Sequence, residues 1–496
     1  MLKDRIDEKH LCQVMALHCI SFLIEDSPSL LCHKKWVTSQ FENNLSKHRM
    51  REGRKTTIHP LATSDINEAT IGGNKDVIDN ILLKQLSLSE EDIKKVLIII
   101  GGDQSTIEKM RTLKSYLADC PHGYPTYDWV IPLIQLWHMH TNTRETSTYS
   151  GVNNLLRRGV KNITRPDFYP AQRLVFETLK EEVLDCWRII AHADDLDLHF
   201  ETHNIEDIYA VAQSLVDQYM TRASVDRACR GGRFWTTARG EPWGMNSHAY
   251  DTEEDDIEMD TDMIAGDQDD NQSESSNSSE ALMGDIVLAN SITRMRDAML
   301  HYEFTHAIAS GDIGRALEVM NVWLFTFTGC GVAKYSNELL ELACNFEFEY
   351  HEELKTAIKN NWLMNLTGHP GTWFPMDLGQ EHNIKQLKTM VDRHNKSFDD
   401  PFFANIVSTA IVAFIVTKRL VPETVGLSKR SETHGTHQSG GISRALCRMM
   451  AQVEPHIFHE GCCKQESPKR LCHSPRLLNQ GRKERATESI RRLRSD

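Results

Sequence analysis

The chain reads as an α/β protein that is mostly helical, in which a small mixed sheet within the first 140 residues leads into a large helical body. Three observations predict this. Val96 to Ile100 is an unbroken aliphatic run, as befits a strand covered on both faces. Trp129 to Trp137 (WVIPLIQLW) is a second strand-like run, weakened by Pro132. From Pro170 onward, apolar residues recur at helical spacing.

In chain order, residues 1–34 read as an N-terminal helical segment. Trp36 to Phe41 (WVTSQF) alternates and ends at Glu42-Asn43-Asn44, so it reads as a strand entering a turn. Thr56 to Leu61 (TTIHPL) is a short strand whose Pro60 requires an edge or an end. Asp76 to Leu86 is amphipathic and helical. The Val96 strand runs into Gly101-Gly102-Asp103, and Ser105-Thr106-Ile107-Glu108 has the form of a capping box. A helix to Leu117 follows, with Ile107, Met110, Leu113 and Leu117 on one face. Helical patterns then occupy Pro170 to His192, Asn204 to Met220, Ser291 to Ser310, Ile313 to Phe327 and Ser336 to Asn360. After the turn-forming PGTWFP, Asp377 and Gln380 mark another helix N-terminus. On that helix Glu381 shares a stripe with Ile384, Leu387 and Val391, turning its carboxylate toward the core. There it is costly unless paired or bound to a cation.

Composition sets further bounds. At 496 residues, 40% hydrophobic and 25% charged, the chain is long enough for more than one core-forming unit. The net charge of -14 argues against nucleic acid only until it is located. Asp251 to Asp285 holds 14 acidic residues and no Lys or Arg, so the remainder is formally neutral. With its NQSESSNSSE run this stretch is too polar to bury a core and reads as a disordered linker. Lys429 to Asp496 holds 14 basic and 7 acidic residues, which suits phosphate backbones or an import receptor. A solvated tail without a partner is the alternative. The division that results is 1–34, an α/β core over 35–142, a helical insertion over 143–245, the acidic linker over 246–286, a helical body over 287–425 and a basic tail over 426–496. The longest apolar run, Phe402 to Thr417, contains Asn405, Ser408 and Thr409 and falls short of the roughly 20 residues a bilayer needs. We expect a buried helix there and no membrane partner. Twelve scattered cysteines, with no secretory leader pattern, predict reduced thiols in an intracellular protein, nuclear more than cytoplasmic.

The acids carry the chemistry. Glu42 at the end of a first strand, Asp103 between a later strand and a helix, and Glu381 on a distant helix are the constellation of a ribonuclease H-like nuclease or transposase. Such sites hold two divalent metals roughly 4 Å apart, which activate a water or hydroxyl and stabilise the leaving oxygen of a phosphodiester. Hard Mg²⁺ or Mn²⁺ prefers oxygen donors, so three carboxylates suit it. Asp377, His138, His140 and His382 stand as supporting residues. His138 and His140, two apart on an apparent strand, would point the same way.

Five stretches resemble the eukaryotic domain of unknown function 6589, a family regarded as derived from transposable elements. They are GGDQSTIEKMRTLKSYLADCPHGY, WVIPLIQLWHMH, RDAMLHYEFTHAIASGD, KNNWLMNLTGHPGTWFPMDLGQEHNIKQLK and GLSKR. The element order further resembles hAT-type transposases, in which a helical insertion separates the second Asp from the catalytic Glu. That resemblance implies DNA as partner and metal-dependent cleavage or strand transfer through Glu42, Asp103 and Glu381. It places Trp137 to Asn142 against a Cys-x-x-His-x-Leu-Asn run, and Glu42-Asn43 where such enzymes carry Asp-Asn.

Plainer alternatives stand beside each residue. Asp103 can simply cap a helix, with Gly101 and Gly102 supplying unusual φ, and Glu381 can pair with Lys385 or Lys388. The two histidines can be packed core. The whole chain can be an inactive, domesticated scaffold. No Lys-Ser/Thr follows the glycines, so a phosphate loop is not expected. His456, His459, Cys462, Cys463, Cys472 and His473 offer donors for zinc, but their spacing matches no zinc pattern and zinc is not expected.

Overall fold

Two helices bury residues on nearly every side, which requires other elements to surround them. In α1 (Glu8–Asp26) residues from His10 to Ile24 are buried almost continuously. In α11 (Ile286–Ser310) fourteen residues are buried around the full circumference. The computed structural model describes residues 5–120, 123–142, 168–230 and 284–394, most of 397–417, and parts of 446–462. The acidic stretch and most of the basic tail lie outside the described residues.

Against these two helices pack α7 (Phe168–Ala191), α9 (Ile205–Tyr219), α10 (Arg222–Arg230) and α12 (Ile313–Gly329), with α8 (Leu196–Phe200) on α7 and α13 (Ala333–Cys344) on α12. One core joins them, from Ile6 to Trp373. Asp195, Asn204, Asp285 and Asp312 each cap a following helix with a side-chain oxygen, satisfying N–H groups the helix cannot satisfy itself. The pattern over Ser336 to Asn360 is two helices: after α13 a π-turn over Asn345–Glu349 breaks the run before α14 (Glu352–Asn360).

The strand content is small. β1 (Ile98–Gly102) and β2 (Val130–Ile134) pair in parallel, Ile98 opposite Val130 and Gly102 opposite Ile134. The crossover between them is α5 (Gln104–Leu117). A separate antiparallel pair joins β3 (Leu363–Met364) to β4 (Phe374–Pro375). β1 is half-buried rather than covered, and Val96 and Leu97 before it are exposed. Beneath the parallel pair, α3 (Ile71–Asp79) and α5 enclose a second core with Tyr124, Tyr127 and Trp129. Asp79 accepts from both tyrosine hydroxyls and from Lys75. α4 (Glu90–Ile93) closes one end.

Two expected strands are absent among the described residues. Trp36 to Phe41 lies in α2 (Lys34–Ser39) and the π-turn Gln40–Asn44 that continues it. Val37 and Phe41, four apart, are the residues it buries, a helical spacing that the alternating reading overlooked. Thr56 to Leu61 forms no strand; Thr56 bonds to Asn365. The run from Phe402 begins with a π-turn over Phe403–Val407 and leaves Phe402 and Ile406 exposed, so it is not a buried helix over its described part. No described helix is long and apolar enough to cross a membrane.

A charged cluster sits inside the main core. Arg315 donates from Nε and a terminal nitrogen to the two oxygens of Glu303, at 2.8 and 2.5 Å, and His18 approaches the same carboxylate at 2.6 Å. The guanidinium lies 4.6 Å from the centre of the Phe41 ring. The pull of Arg315 and His18 outweighs burial and brings the Glu303 pKa down to about 2. Burial lowers those of His18, His301 and His306, the last to about 3.

Glu303→Gln is expected to destabilise the fold by about 3 to 5 kcal/mol, because it strands Arg315 without a counter-charge; a urea midpoint within error of the parent would refute the assignment. Acid acts in the same direction. Unfolded, those three histidines take up protons below about pH 6.5 that the folded core refuses, and Glu303 takes one below its ordinary 4.5 that the fold refuses until about 2. Stability is therefore fullest above pH 6.5 and falls with acid, by up to about 1.4 kcal/mol per pH unit per histidine. Urea midpoints at pH 7, 6 and 5 measure it.

Candidate functional site

Parallel pairing decides where the chemistry collects. Because β1 and β2 run the same way, both hand over to helices at one edge, where α/β folds place their ligands. β1 ends at Gly101-Gly102, and Asp103 is the N-cap of α5, its Oδ1 accepting from the Thr106 N–H at 2.8 Å. The cap is thus Asp103, two residues ahead of the expected Ser105. β2 ends at Ile134, Gln135 donates its N–H to the Gly102 carbonyl at 3.1 Å, and α6 (Leu136–Asn142) begins. Neither glycine adopts positive φ. What Gly101 supplies is space: a Cβ there would fall 2.0 Å from the Gln135 Nε2. Gln135 is only 6% exposed, and its Oε1 is buried with no hydrogen-bond partner among the described residues.

The third contributor is α15 (Met376–His394). Asp377 lies in its first turn and accepts from the N–H groups of Trp137 (2.9 Å) and His138 (3.0 Å) and from His138 Nδ1 (3.1 Å). The acid expected to mark its own helix start thus secures the start of α6 instead. One turn on, Glu381 Oε1 lies 3.8 Å from His138 Nε2. The hydrogen bond that His138 Nδ1 makes to Asp377 is the largest influence on His138 and raises its pKa against burial, with Glu381 and Asp103 adding to the effect. His138, Asp377 and Glu381 therefore meet at the carboxyl edge of β1 and β2, and Asp103 stands at the same edge, near enough for its charge to act on His138. No three of them bring one donor atom each within 4.8 Å of one another. Glu381 is 42% exposed at its side chain and paired with His138, so it is neither core-facing nor taken by Lys385 or Lys388.

Other expected residues lie elsewhere. Glu42, in the π-turn after α2, pairs with Arg49 at 3.3 Å and shares no contact with the four. His140 is on a helix, not a strand, so two residues carry it to the opposite side of α6 from His138. Its Nε2 meets His301 Nε2 at 3.1 Å in a pocket with Gln172 and Thr305, and burial pushes its pKa down to about 3. His382 is exposed. Of the zinc donors, His456 is buried against Asp185 at 2.7 Å, His459 pairs with Glu454, and the Cys462 carbonyl accepts from Ile286; Cys463, Cys472 and His473 lie outside the described residues.

Sequence reasoning missed one cluster altogether. His18, Glu303 and His306 bring donor atoms within 4.8 Å of one another, the one such group among the described residues. Arg315 already occupies both Glu303 oxygens and approaches His306 Nδ1 at 3.1 Å, so a guanidinium stands where a metal would. The available signal was Glu303, with His301 and His306, within the apolar second half of α11.

Cap and charge at Asp103 are separable. Asp103→Asn keeps a capping oxygen and is expected to cost a few tenths of a kcal/mol, whereas Asp103→Ala is expected to cost about 1 kcal/mol; equal urea midpoints for the two variants would deny the capping role. No curated protein and no solved structure matches the chain. A family model described as a family of unknown function, DUF6589, matches residues 1–434. The four side chains gathered at the β1–β2 edge thus lie inside the matched region, and the chain belongs to that family.

Proposed function

We propose that the β1–β2 edge is a divalent-metal site for phosphodiester cleavage or strand transfer on DNA, in a transposase-like protein with a ribonuclease H-like core. The observation that carries this reading is the convergence of Asp103, His138, Asp377 and Glu381 from two chain regions more than 200 residues apart. His138 Nε2 and Glu381 Oε1 at 3.8 Å are spaced for adjacent donors on one ion, since metal–donor bonds of about 2.1 Å set such atoms roughly 3 to 4 Å apart. Asp377 takes the part of an orienting carboxylate, holding Nδ1 so that Nε2 faces the ion. Asp103 supplies the oxygen that its cap leaves over, and the buried Gln135 Oε1 is a further oxygen at the same edge. An imidazole donor favours Mn²⁺ over Mg²⁺. The metal would activate the attacking water or hydroxyl and neutralise charge on the phosphate. Glu42 has no part in it.

A second reading is an inactive scaffold, favoured by the pairing of Glu42 with Arg49 and by the use of Asp103 as a cap. Nicked and branched oligonucleotides with Mn²⁺ or Mg²⁺ separate the two. We expect Mn²⁺-supported cleavage that Asp103→Asn and Glu381→Gln reduce to background and that Glu42→Gln leaves intact. Asp377→Asn is expected to raise the Mn²⁺ concentration for half-maximal cleavage about 10- to 100-fold. Cleavage indifferent to Asp103 and Glu381 would remove the metal site, and no cleavage with either ion would favour the scaffold.

A further inference from the structure

Beside α6 lies a groove of about 420 Å³ between α1, α7 and α11. Its walls are aromatic: Phe22, Tyr169, Phe176 and Tyr302. Tyr302 meets Phe22 and Phe176 edge-on, each with ring centres 5.0 Å apart. Tyr169, by contrast, is 54% exposed and stands at the mouth. Two cations hold the rim, Arg173 against Glu177 at 2.8 Å and Lys180 against Glu25 at 2.9 Å.

The groove is tied to the β1–β2 edge twice. The Phe168 ring, next to Tyr169 in the chain, lies edge-on to His140 of α6 with ring centres 5.1 Å apart, and α6 also carries His138. Gln172, which lines the groove, reaches His301 at 3.0 Å and His140 of α6 at 3.4 Å. α6 is seven residues long, so its ends are only about 10 Å apart. The groove therefore adjoins the short helix that carries His138.

We propose that the groove takes an unpaired nucleobase of a single-stranded segment next to the scissile phosphate, with Tyr169 as the stacking surface; this rests on the nucleic-acid reading of the β1–β2 edge. A neutral flat ring suits aromatic walls, because every base offers a π-face. The flanking phosphates meet Arg173 and Lys180, whose rim pairs are solvent-exposed and weakly held. A cationic guest fits less well, since both rim carboxylates already serve cations that would repel it.

The test uses the full chain, EDTA, and a single-stranded oligonucleotide carrying 2-aminopurine at successive positions. Stacking quenches this probe, so we expect quenching on binding, largest at one position. Tyr169→Ala should weaken binding about 5- to 150-fold and abolish the quenching, and Tyr169→Phe should restore both. Because Tyr169 is exposed, its removal leaves the fold intact, which an unchanged urea midpoint verifies. Failure to bind, binding without quenching, or binding indifferent to Tyr169→Ala overturns the proposal. Metal-free binding also isolates it from the chemistry. Quenching without Mn²⁺-dependent cleavage by the parent would sink the catalytic reading alone, whereas cleavage with no effect of Tyr169→Ala on KM or quenching would sink the groove alone.

Discussion

The Arg315–Glu303 pair constrains this molecule more than any other contact. Arg315 is 1% exposed, and a guanidinium so placed must be met by a carboxylate with its hydrogen bonds satisfied or the core does not form. The pair fixes α12 against α11, brings α1 to them through His18, and lays the π-turn after α2 over the guanidinium through Phe41. Asp312, three residues before Arg315, caps α12 and accepts from the N–H groups of Lys47 and His48. Gly311 turns the corner at φ 75°, where any Cβ would fall 2.7 Å from the Trp373 ring. Trp373 in turn donates its N–H to the Ala309 carbonyl, and β4 and α15 follow from it. Trp362, by its indole N–H, holds the Ile134 carbonyl at the end of β2. The side chains of the β1–β2 edge are thus suspended from the α11–α12 corner.

Legibility in the sequence followed the strength of each local signal. The long helices carry many turns of consistent spacing and, apart from the Ser336 to Asn360 run that divides in two, are found where the spacing puts them. β1 and β2 were legible because five aliphatics ending at Gly-Gly-Asp have few other uses. Trp36 to Phe41 was not, since six residues satisfy alternation and a four-residue repeat equally well, and burial of Val37 with Phe41 decided for the helix. That single choice removed Glu42 from the site. His138 and His140 failed likewise: the last ladder bond is made by the Gln135 N–H, and Asp377 captures the N–H groups that follow, of Trp137 and His138. No local pattern announces a carboxylate more than 200 residues away.

Capping and metal binding are less opposed than they look. A cap uses one carboxylate oxygen as acceptor and fixes the side chain's rotamer, leaving the other oxygen with its lone pairs. Such an acid is costlier to move and more exact in its placement than a free one, which a metal site requires. Asp377 illustrates the complementary use. Its hydrogen bonds among the described residues all go to α6, to the Trp137 and His138 N–H groups and His138 Nδ1, so on the proposed reading it orients a donor. The helical difference between Asp377 and Glu381, a single turn of α15, separates the orienting acid from the one that faces the same imidazole.

Electrostatics then limits what this edge can do. Asp103, Asp377 and Glu381 surround one histidine, so the site repels a phosphodiester until a cation intervenes, and at short range in a half-buried setting that repulsion amounts to several kcal/mol. A reaction on DNA at this edge therefore requires a divalent ion to be held first, with the ion reversing the local sign. The groove beside α6 carries no such penalty, because its rim cations and carboxylates cancel and its walls are aromatic. On the proposed reading the two features would divide the work of holding a strand: the groove would gather a base by stacking, and the ion would admit the scissile phosphate. A chain that kept the groove while losing its hold on the metal would still bind, and would do so without cutting.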